Sequence, residues 1–229
     1  MEKTQLKHFS VGLILLAGIA GTSFGQKEIR LNAYSSYVFA DNHISTVYNS
    51  YNAYYEGSMS GGYQWGGGLE MLVAPTKGIE LKYLRQDAVA HMDYYNGIST
   101  NPSANNLDMA INYILLGGTN YFKGVGEKVE PFGGFGIGMA VISVKNPEAS
   151  SVTITDPTKE KFAWNIKLGT NVWVNEKVGL KLQAELVSAV QSFGGGIYVG
   201  TGGGGAGVTG VSTMYQFSLG GALVFKLGK

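Results

Sequence analysis

The chain has 229 residues, with 17 basic and 16 acidic side chains, no cysteine, 35 glycines and 14 tyrosines. Near-neutral charge without a basic stripe argues against nucleic acid and against polybasic binding at a lipid surface, and the lack of cysteine excludes a disulfide framework and thiolate metal sites. Glycine at about twice its usual share, with abundant tyrosine and no G-X-Y period, disfavours collagen and simple disorder; it points to bends or close packing in a curved sheet.

Met1 to Gly25 reads as an export signal: Lys3 and Lys7 make a positive start, Val11 to Gly21 is apolar, and Ser23-Phe24-Gly25 places small residues at a cleavage site. The apolar run is about half the roughly 20 residues that a spanning helix needs. The mature chain is therefore expected to begin near Gln26, with residues 26–229 forming one domain that carries 15 basic and 15 acidic residues.

Beyond the signal the chain reads as short alternating segments, one face apolar and the other polar, the dyad repeat of strands. Ile29, Leu31 and Ala33 oppose Glu28, Arg30 and Asn32. Tyr63, Trp65, Leu69 and Met71 oppose Gln64 and Glu70, and Ile79, Leu81 and Tyr83 oppose Glu80, Lys82 and Gln86. In the fourth segment, about 109–122, the expected outward set is Ile111, Tyr113, Leu115, Thr119 and Tyr121 against inward Asn112, Gly118 and Asn120, a pattern blurred by Ile114 and Leu116. Val129, Phe135, Ile137 and Met139 oppose Glu130 and three successive alternate glycines, Gly134, Gly136 and Gly138. Phe162, Trp164, Ile166 and Leu168 oppose Asn165, Lys167 and Asn171, while Leu180, Leu182 and Leu186 oppose Lys181, Gln183 and Glu185. The last segment sets Tyr215, Phe217, Leu219, Leu223 and Phe225 against Gln216, Ser218 and Lys226.

Eight such segments predict an all-β, eight-stranded antiparallel up-and-down transmembrane barrel. Connectors alternate between long (40–60, 90–106, 143–160, 192–210) and short (74–78, 123–128, 175–177), which places both termini on the periplasmic side. Strand parity alone leaves a soluble sandwich or lipocalin-like barrel open, with the apolar face turned inward. The aromatic positions favour the membrane: Tyr37, Phe39, Tyr63, Trp65, Phe162, Trp164, Tyr215 and Phe217 fall on the apolar face at one height, with Tyr121 and Phe225 marking the opposite girdle.

The glycine-aromatic strand Lys128-Val129-Glu130-Pro131-Phe132-Gly133-Gly134-Phe135-Gly136-Ile137-Gly138 and the closing strand from Tyr215 to Phe225 resemble the small outer-membrane barrels that group with the OmpA transmembrane domain and the opacity proteins. The resemblance covers about 27–229. It implies a last strand read as an insertion signal by the barrel-assembly machinery, although here Lys226 to Lys229 follow Phe225. No peptidoglycan-binding domain follows in the sequence, so the anchoring role of longer relatives is not carried over. Such a resemblance names a fold and a location, seldom an activity.

Inward charges balance: Glu28, Glu70, Glu80, Glu130 and Glu185 against Arg30, Lys82, Lys167, Lys181 and Lys226. Buried charges need partners, so an ion-paired plug is expected in a lumen only wide enough for side chains. Higher in the barrel, Asn32, Tyr34, Gln64, Gln86, Asn112 and Asn165 outline a shallow polar cavity for a small amphipathic ligand, the weaker expectation beside a filled interior.

The outer connectors carry the tyrosine-asparagine runs Tyr48 to Tyr55 and Tyr94-Tyr95-Asn96, side chains suited to adaptable recognition. Asp41-x-His43 and His91-x-Asp93, both expected in loops, would make a metal or acid-base site only if the first two loops met, and such short, common patterns are weak evidence for one; Gly202 to Gly205 lacks the Lys-Ser/Thr of a phosphate loop. Arg85 is expected outward near the outer rim, within reach of lipid phosphate.

The resulting expectation is an integral outer-membrane protein of a Gram-negative bacterium with a structural or surface-interaction role, not an enzyme, without cofactor or metal. Its expected partners are membrane lipid and, during insertion, the assembly machinery; a monomer is expected. A surface adhesin and a narrow porin or ligand binder are the alternatives.

Overall fold

Side chains that alternate between oil and a polar interior pull each segment into extended backbone, and closure of the sheet removes the edges that would otherwise be left unpaired. The computed structural model describes residues 28–48, 54–95, 103–144, 158–190, 195–200, 203–208 and 213–227. The expected leader lies outside them, as do Tyr51, Asn96 and Gly202 of the outer connectors.

In chain order the strands are β1 (Ile29–Val38), β2 (Asp41–Tyr48), β3 (Tyr54–Met59), β4 (Gly62–Ala74), β5 (Lys77–Tyr95), β6 (Ser103–Tyr121), β7 (Val129–Val144), β8 (Thr158–Trp173), β9 (Val178–Val190), β10 (Gly195–Gly200), β11 (Gly203–Val208) and β12 (Thr213–Leu227). Eight of them form a closed antiparallel barrel in the order β1-β4-β5-β6-β7-β8-β9-β12, sealed where β1 pairs with β12 from Ile29↔Leu227 to Val38↔Ser218.

Two expected connectors contain strands of their own. Within 40–60, β2 and β3 form a hairpin, and β3 continues the wall by pairing with the far end of β5, Tyr54↔Tyr95 to Met59↔Ala90. Within 192–210, β10 and β11 form a separate two-stranded sheet. The 90–106 connector is shorter than expected, because β5 runs to Tyr95 and β6 starts at Ser103.

The other end of the barrel is trimmed close. Only Pro75 and Thr76 separate β4 from β5, four residues separate β8 from β9, and the β6–β7 turn is closed by Gly124 and Gly126 at φ of +80° and +100°, a region costly for other residues. In the β8–β9 turn, Asn175 Oδ1 accepts from the backbone N–H of Lys177 and Val178 at 2.9 and 2.8 Å.

Outward faces are apolar along the wall, with Leu31, Leu69, Leu81, Phe135, Ile166, Leu182, Leu219 and Leu223 all exposed. Near the long-loop end, Tyr37, Phe39, Tyr63, Trp65, Phe162, Tyr215 and Phe217 are exposed and Trp164 half-buried. Their rings touch: Phe39 stacks on Phe217 at 5.7 Å, Trp164 meets Tyr215 edge-on at 6.3 Å, and Trp65 meets Tyr83 at 6.4 Å.

One strand is turned over relative to expectation. In β6 it is Ile111, Tyr113, Leu115, Thr119 and Tyr121 that are buried inside, while Ile114 and Leu116 face out. Asn112, Gly118 and Asn120 accordingly lie on the outer wall, where Asn112 Oδ1 accepts from the Tyr83 hydroxyl at 2.8 Å. Tyr121 is thus no girdle residue; at the turn end it is Phe122 that faces out, 58% exposed, while Phe225 is half-buried.

Candidate functional site

The lumen holds the chemistry of this chain, in three layers stacked from the turn end upward. The lowest is built by β1, β7, β8 and β12. The Arg30 guanidinium, fully buried, donates from Nη1 to Glu130 Oε2 at 2.7 Å and from Nη2 to Glu130 Oε1 at 3.2 Å, the two-pronged geometry that suits a carboxylate. Its Nε donates to Glu28 Oε1 at 2.6 Å, and Glu28 Oε2 lies 3.6 Å from Lys226 Nζ. Glu130 also receives the Gly126 backbone N–H at 2.8 Å and Asn171 Nδ2 at 3.2 Å. Trp173 packs here, with the Arg30 guanidinium 4.9 Å and Lys226 Nζ 3.9 Å from its ring centre.

The middle layer brings Glu70, Glu80 and Glu185 against Lys82, Lys167 and Lys181, each at most 3% exposed. Lys167 Nζ donates to Glu80 Oε2 at 2.6 Å, and Lys82 Nζ to both Glu185 oxygens at 2.9 and 3.1 Å. Glu80 Oε1 also accepts from Asn32 Nδ2 at 2.7 Å and from the Tyr34 hydroxyl at 2.5 Å. Glu185 accepts from Gln183 Nε2 at 2.8 Å and from Asn165 Nδ2. Lys181 is held more loosely, 3.3 Å from the Tyr34 hydroxyl and 3.5 Å from Glu70 Oε2. The Tyr121 hydroxyl ties the two layers together, donating to Glu70 Oε1 at 2.7 Å and accepting from Arg30 Nη1 at 3.1 Å.

All ten inward charges expected from parity therefore sit in ion pairs, and each layer is neutral by itself. Burial of ions is costly unless both charge and hydrogen-bonding capacity are met. Here the amides of Asn32, Asn165 and Asn171 and the phenols of Tyr34 and Tyr121 add hydrogen bonds to the acids, while Glu70 Oε2 has only the ion-pair contact with Lys181 at 3.5 Å.

Above the ions the lumen turns apolar. Leu84, Ile111, Tyr113, Leu115, Ala140, Ala163, Val187, Ala189, Met59 and Met214 pack into one buried cluster. The Tyr113 hydroxyl donates to Gln216 Oε1 at 2.8 Å, and Gln216 Nε2 contacts Met59 Sδ at 3.2 Å. The expected polar cavity is not what these residues form. Asn32, Tyr34 and Asn165 belong to the ionic layer, Gln64 and Gln86 are buried, and Asn112 is outside, because the reversed face of β6 fills the space with Ile111, Tyr113 and Leu115.

Inward glycines make room for this filling. A Cβ on Gly134 would lie 2.7 Å from Lys167 Cε, one on Gly78 2.5 Å from Glu70 Oε1, and one on Gly179 2.7 Å from the Trp173 ring. Gly68 and Gly136 likewise face Glu80 and Asn165.

Outside the lumen, Arg85 faces outward and pairs with Asp87 at 3.3 Å. Asp41 and His43 fall on β2 and His91 on β5, with β3 between them, rather than in loops that meet; His91 Nδ1 lies 2.7 Å from Asn106 Oδ1. Among the described residues no cluster of metal-ligating side chains occurs. Sequence reading passed over Trp173, Tyr113 and the phenol of Tyr121 as interior groups; the polar tips on otherwise apolar rings were the available signal.

A closed eight-stranded barrel, apolar outside and filled with paired charges inside, has the architecture of the small outer-membrane barrels. The chain superposes on Neisserial surface protein A with a TM-score of 0.51 at 13% identity, covering 87% of this chain and 97% of that one. It superposes on the outer membrane protein OprG from Pseudomonas aeruginosa with a TM-score of 0.50 at 15% identity, covering 88% and 93%. At such identities the likeness establishes the fold. No protein-family model matches the chain, and no curated protein sequence does.

Proposed function

We propose that this chain is an integral outer-membrane barrel whose lumen is closed to flow and whose work is structural and at the cell surface, with both termini in the periplasm. The observation that carries the reading is the inversion of the wall: leucine, isoleucine and aromatic rings face out, while ten charges are paired inside. Lipid is the solvent that such an exterior suits, and a closed sheet is the β-structure that can enter it. Two seals close the bore, neutral ion-pair layers below and the Tyr113–Leu115 cluster above, which disfavours a porin. The surface role falls to the wall beyond the aromatic belt, where β5 and β6, 19 residues each, rise with the β2–β3 hairpin.

Electrophoresis in SDS tests the barrel: the unboiled protein is expected to run faster than the boiled one, and identical mobility with recovery in the soluble fraction overturns membrane insertion. In planar bilayers the expected trace has no stable large conductance; a steady open channel removes the plug. Depth is tested on β6. Leu116→Arg, at mid-wall on the outer face, is expected to cost about 2–4 kcal/mol in urea unfolding from vesicles. A change under 1 kcal/mol would count against lipid on that face.

A further inference from the structure

We infer, on the reading that the wall above the aromatic belt lies outside the membrane, that its outer face docks a basic segment of another protein, whose lysine or arginine side chains meet a row of tyrosines and the pair of acids beside it. In β5, Gln86, Ala88 and Ala90 are buried inside while Asp87 and His91 are exposed, so the odd positions carry the outer face upward to Asp93 and Tyr95. The unbroken register of β3 on β5 puts Tyr54 opposite Tyr95 and Glu56 opposite Asp93, and β2 adds Tyr48 opposite Tyr54. Three tyrosines therefore fall in one row across three neighbouring strands, about 10 Å from end to end. The two acids follow on the same face, two residues nearer the belt.

Charge selects the partner. From Leu31 to Thr76 and from Gln86 to Phe122 the chain has no lysine or arginine. On β3, β5 and β6 the outer face above the belt thus carries Glu56, Asp87, Asp93 and Asp108 against one base, Arg85, which pairs with Asp87 at 3.3 Å. Like charges directly opposite each other on neighbouring strands repel, and the row of Glu56 and Asp93 continues on β6 to Ala104, with no base to answer them. His91, in the next row toward the belt, is engaged with Asn106, Nδ1 to Oδ1 at 2.7 Å. A cation brought between the two acids relieves their repulsion, and a guanidinium matches carboxylates while its flat face suits a tyrosine ring. A row of tyrosines on a sheet offers broad contact at low entropic cost, which fits a protein segment better than a single small cation.

The test uses the full chain folded in detergent micelles, each variant first checked for the faster-running unboiled band. Fluorescein-labelled deca-arginine is titrated at physiological ionic strength and followed by polarisation, against deca-glutamine as the uncharged control. Saturable binding is expected for deca-arginine alone. Glu56→Gln with Asp93→Asn is expected to weaken it about tenfold, and Tyr54→Leu with Tyr95→Leu, which leaves the charge unchanged, about threefold. Glu127→Gln with Glu176→Gln, at the turn end, is expected to leave binding as it was. A folded band without saturable binding overturns the docking face and leaves the barrel standing, whereas an unaltered chain with no folded band overturns the membrane reading beneath it. Equal weakening by the turn-end pair, or none by the tyrosine pair, reduces the binding to diffuse attraction and overturns the face. Displacement of the peptide by millimolar calcium, with magnesium without effect, overturns it in favour of a metal ion at the two acids.

Discussion

Arg30→Met is expected to lower the unfolding free energy of the barrel by about 3–5 kcal/mol, the range for stripping one partner from a buried ion pair. The loss comes less from the missing attraction than from what stays behind. Glu130 is fully buried and would keep only the Gly126 N–H and Asn171 Nδ2, while Glu28 and the Tyr121 hydroxyl would lose their contacts with the guanidinium. Two carboxylates would then share one lysine in the lowest layer. Glu130→Gln in the same background removes the stranded charge and is expected to restore more than half of the loss, because a buried pair replaced on both sides is far less damaging than one broken on one side. Equilibrium urea unfolding in lipid vesicles measures both. A single-variant loss under 1 kcal/mol would mean that Arg30 reaches solvent or another acid and that the lowest layer is not closed as described.

Gly134→Val is expected to cost about 3 kcal/mol or more and to prevent a folded band in unheated SDS gels. Overpacking a core commonly costs 1–3 kcal/mol because neighbours give way. At Gly134 they cannot both give: the new Cβ would lie 2.7 Å from Lys167 Cε and 2.5 Å from the Gly118 carbonyl oxygen, so one obstacle is backbone and the other is fixed by its 2.6 Å bond to Glu80. Gly133→Ala is the control, one residue away on the outer face, where the added carbon meets the Phe122 ring edge at 3.1 Å, an exposed side chain free to swing aside. The pair separates lumen crowding from any general intolerance of β7 to side chains. Equal folded fractions for the two variants would refute a glycine-cleared lumen.

The strands and the sign of each inward charge were legible because the dyad repeat is a local property: Glu28-Ile29-Arg30-Leu31 announces its two faces within four residues. β6 was not legible, since both of its faces are apolar. Ile111, Tyr113 and Leu115 fill the upper lumen while Ile114 and Leu116 face out, and the polar residues that period-2 counting leans on, Asn112 and Asn120, lie on the outer wall. The useful sign was small: Tyr121 and Tyr113 carry hydroxyls that a lumen can satisfy, at Glu70 and Gln216, and a hydrocarbon face cannot. Pairings were beyond local reading as well. Which lysine meets which glutamate depends on the stagger of strands around the barrel, and stagger follows from closure of the whole sheet. The β2–β3 hairpin escaped because its tyrosines, asparagines and serines resemble a polar connector, while its pairing with the far end of β5 is a tertiary fact.

The ion pairs also bear on the order in which the protein is made. Arg30 and Glu130 are 100 residues apart, Lys82 and Glu185 are 103 apart, and the Lys181–Tyr34 contact spans 147. No hairpin of neighbouring strands brings these partners together, and contacts of such separation form slowly because long loops must close before any reward arrives. Glu28 can meet Arg30 at the start of β1, and Lys167 lies opposite Glu185 in the β8–β9 hairpin, but the long-range partners meet only when strands from opposite sides of the barrel face each other across the lumen. A barrel filled this way completes its charge pairing only when the sheet closes, and the seam between β1 and β12 is the one that lets the charges go dry.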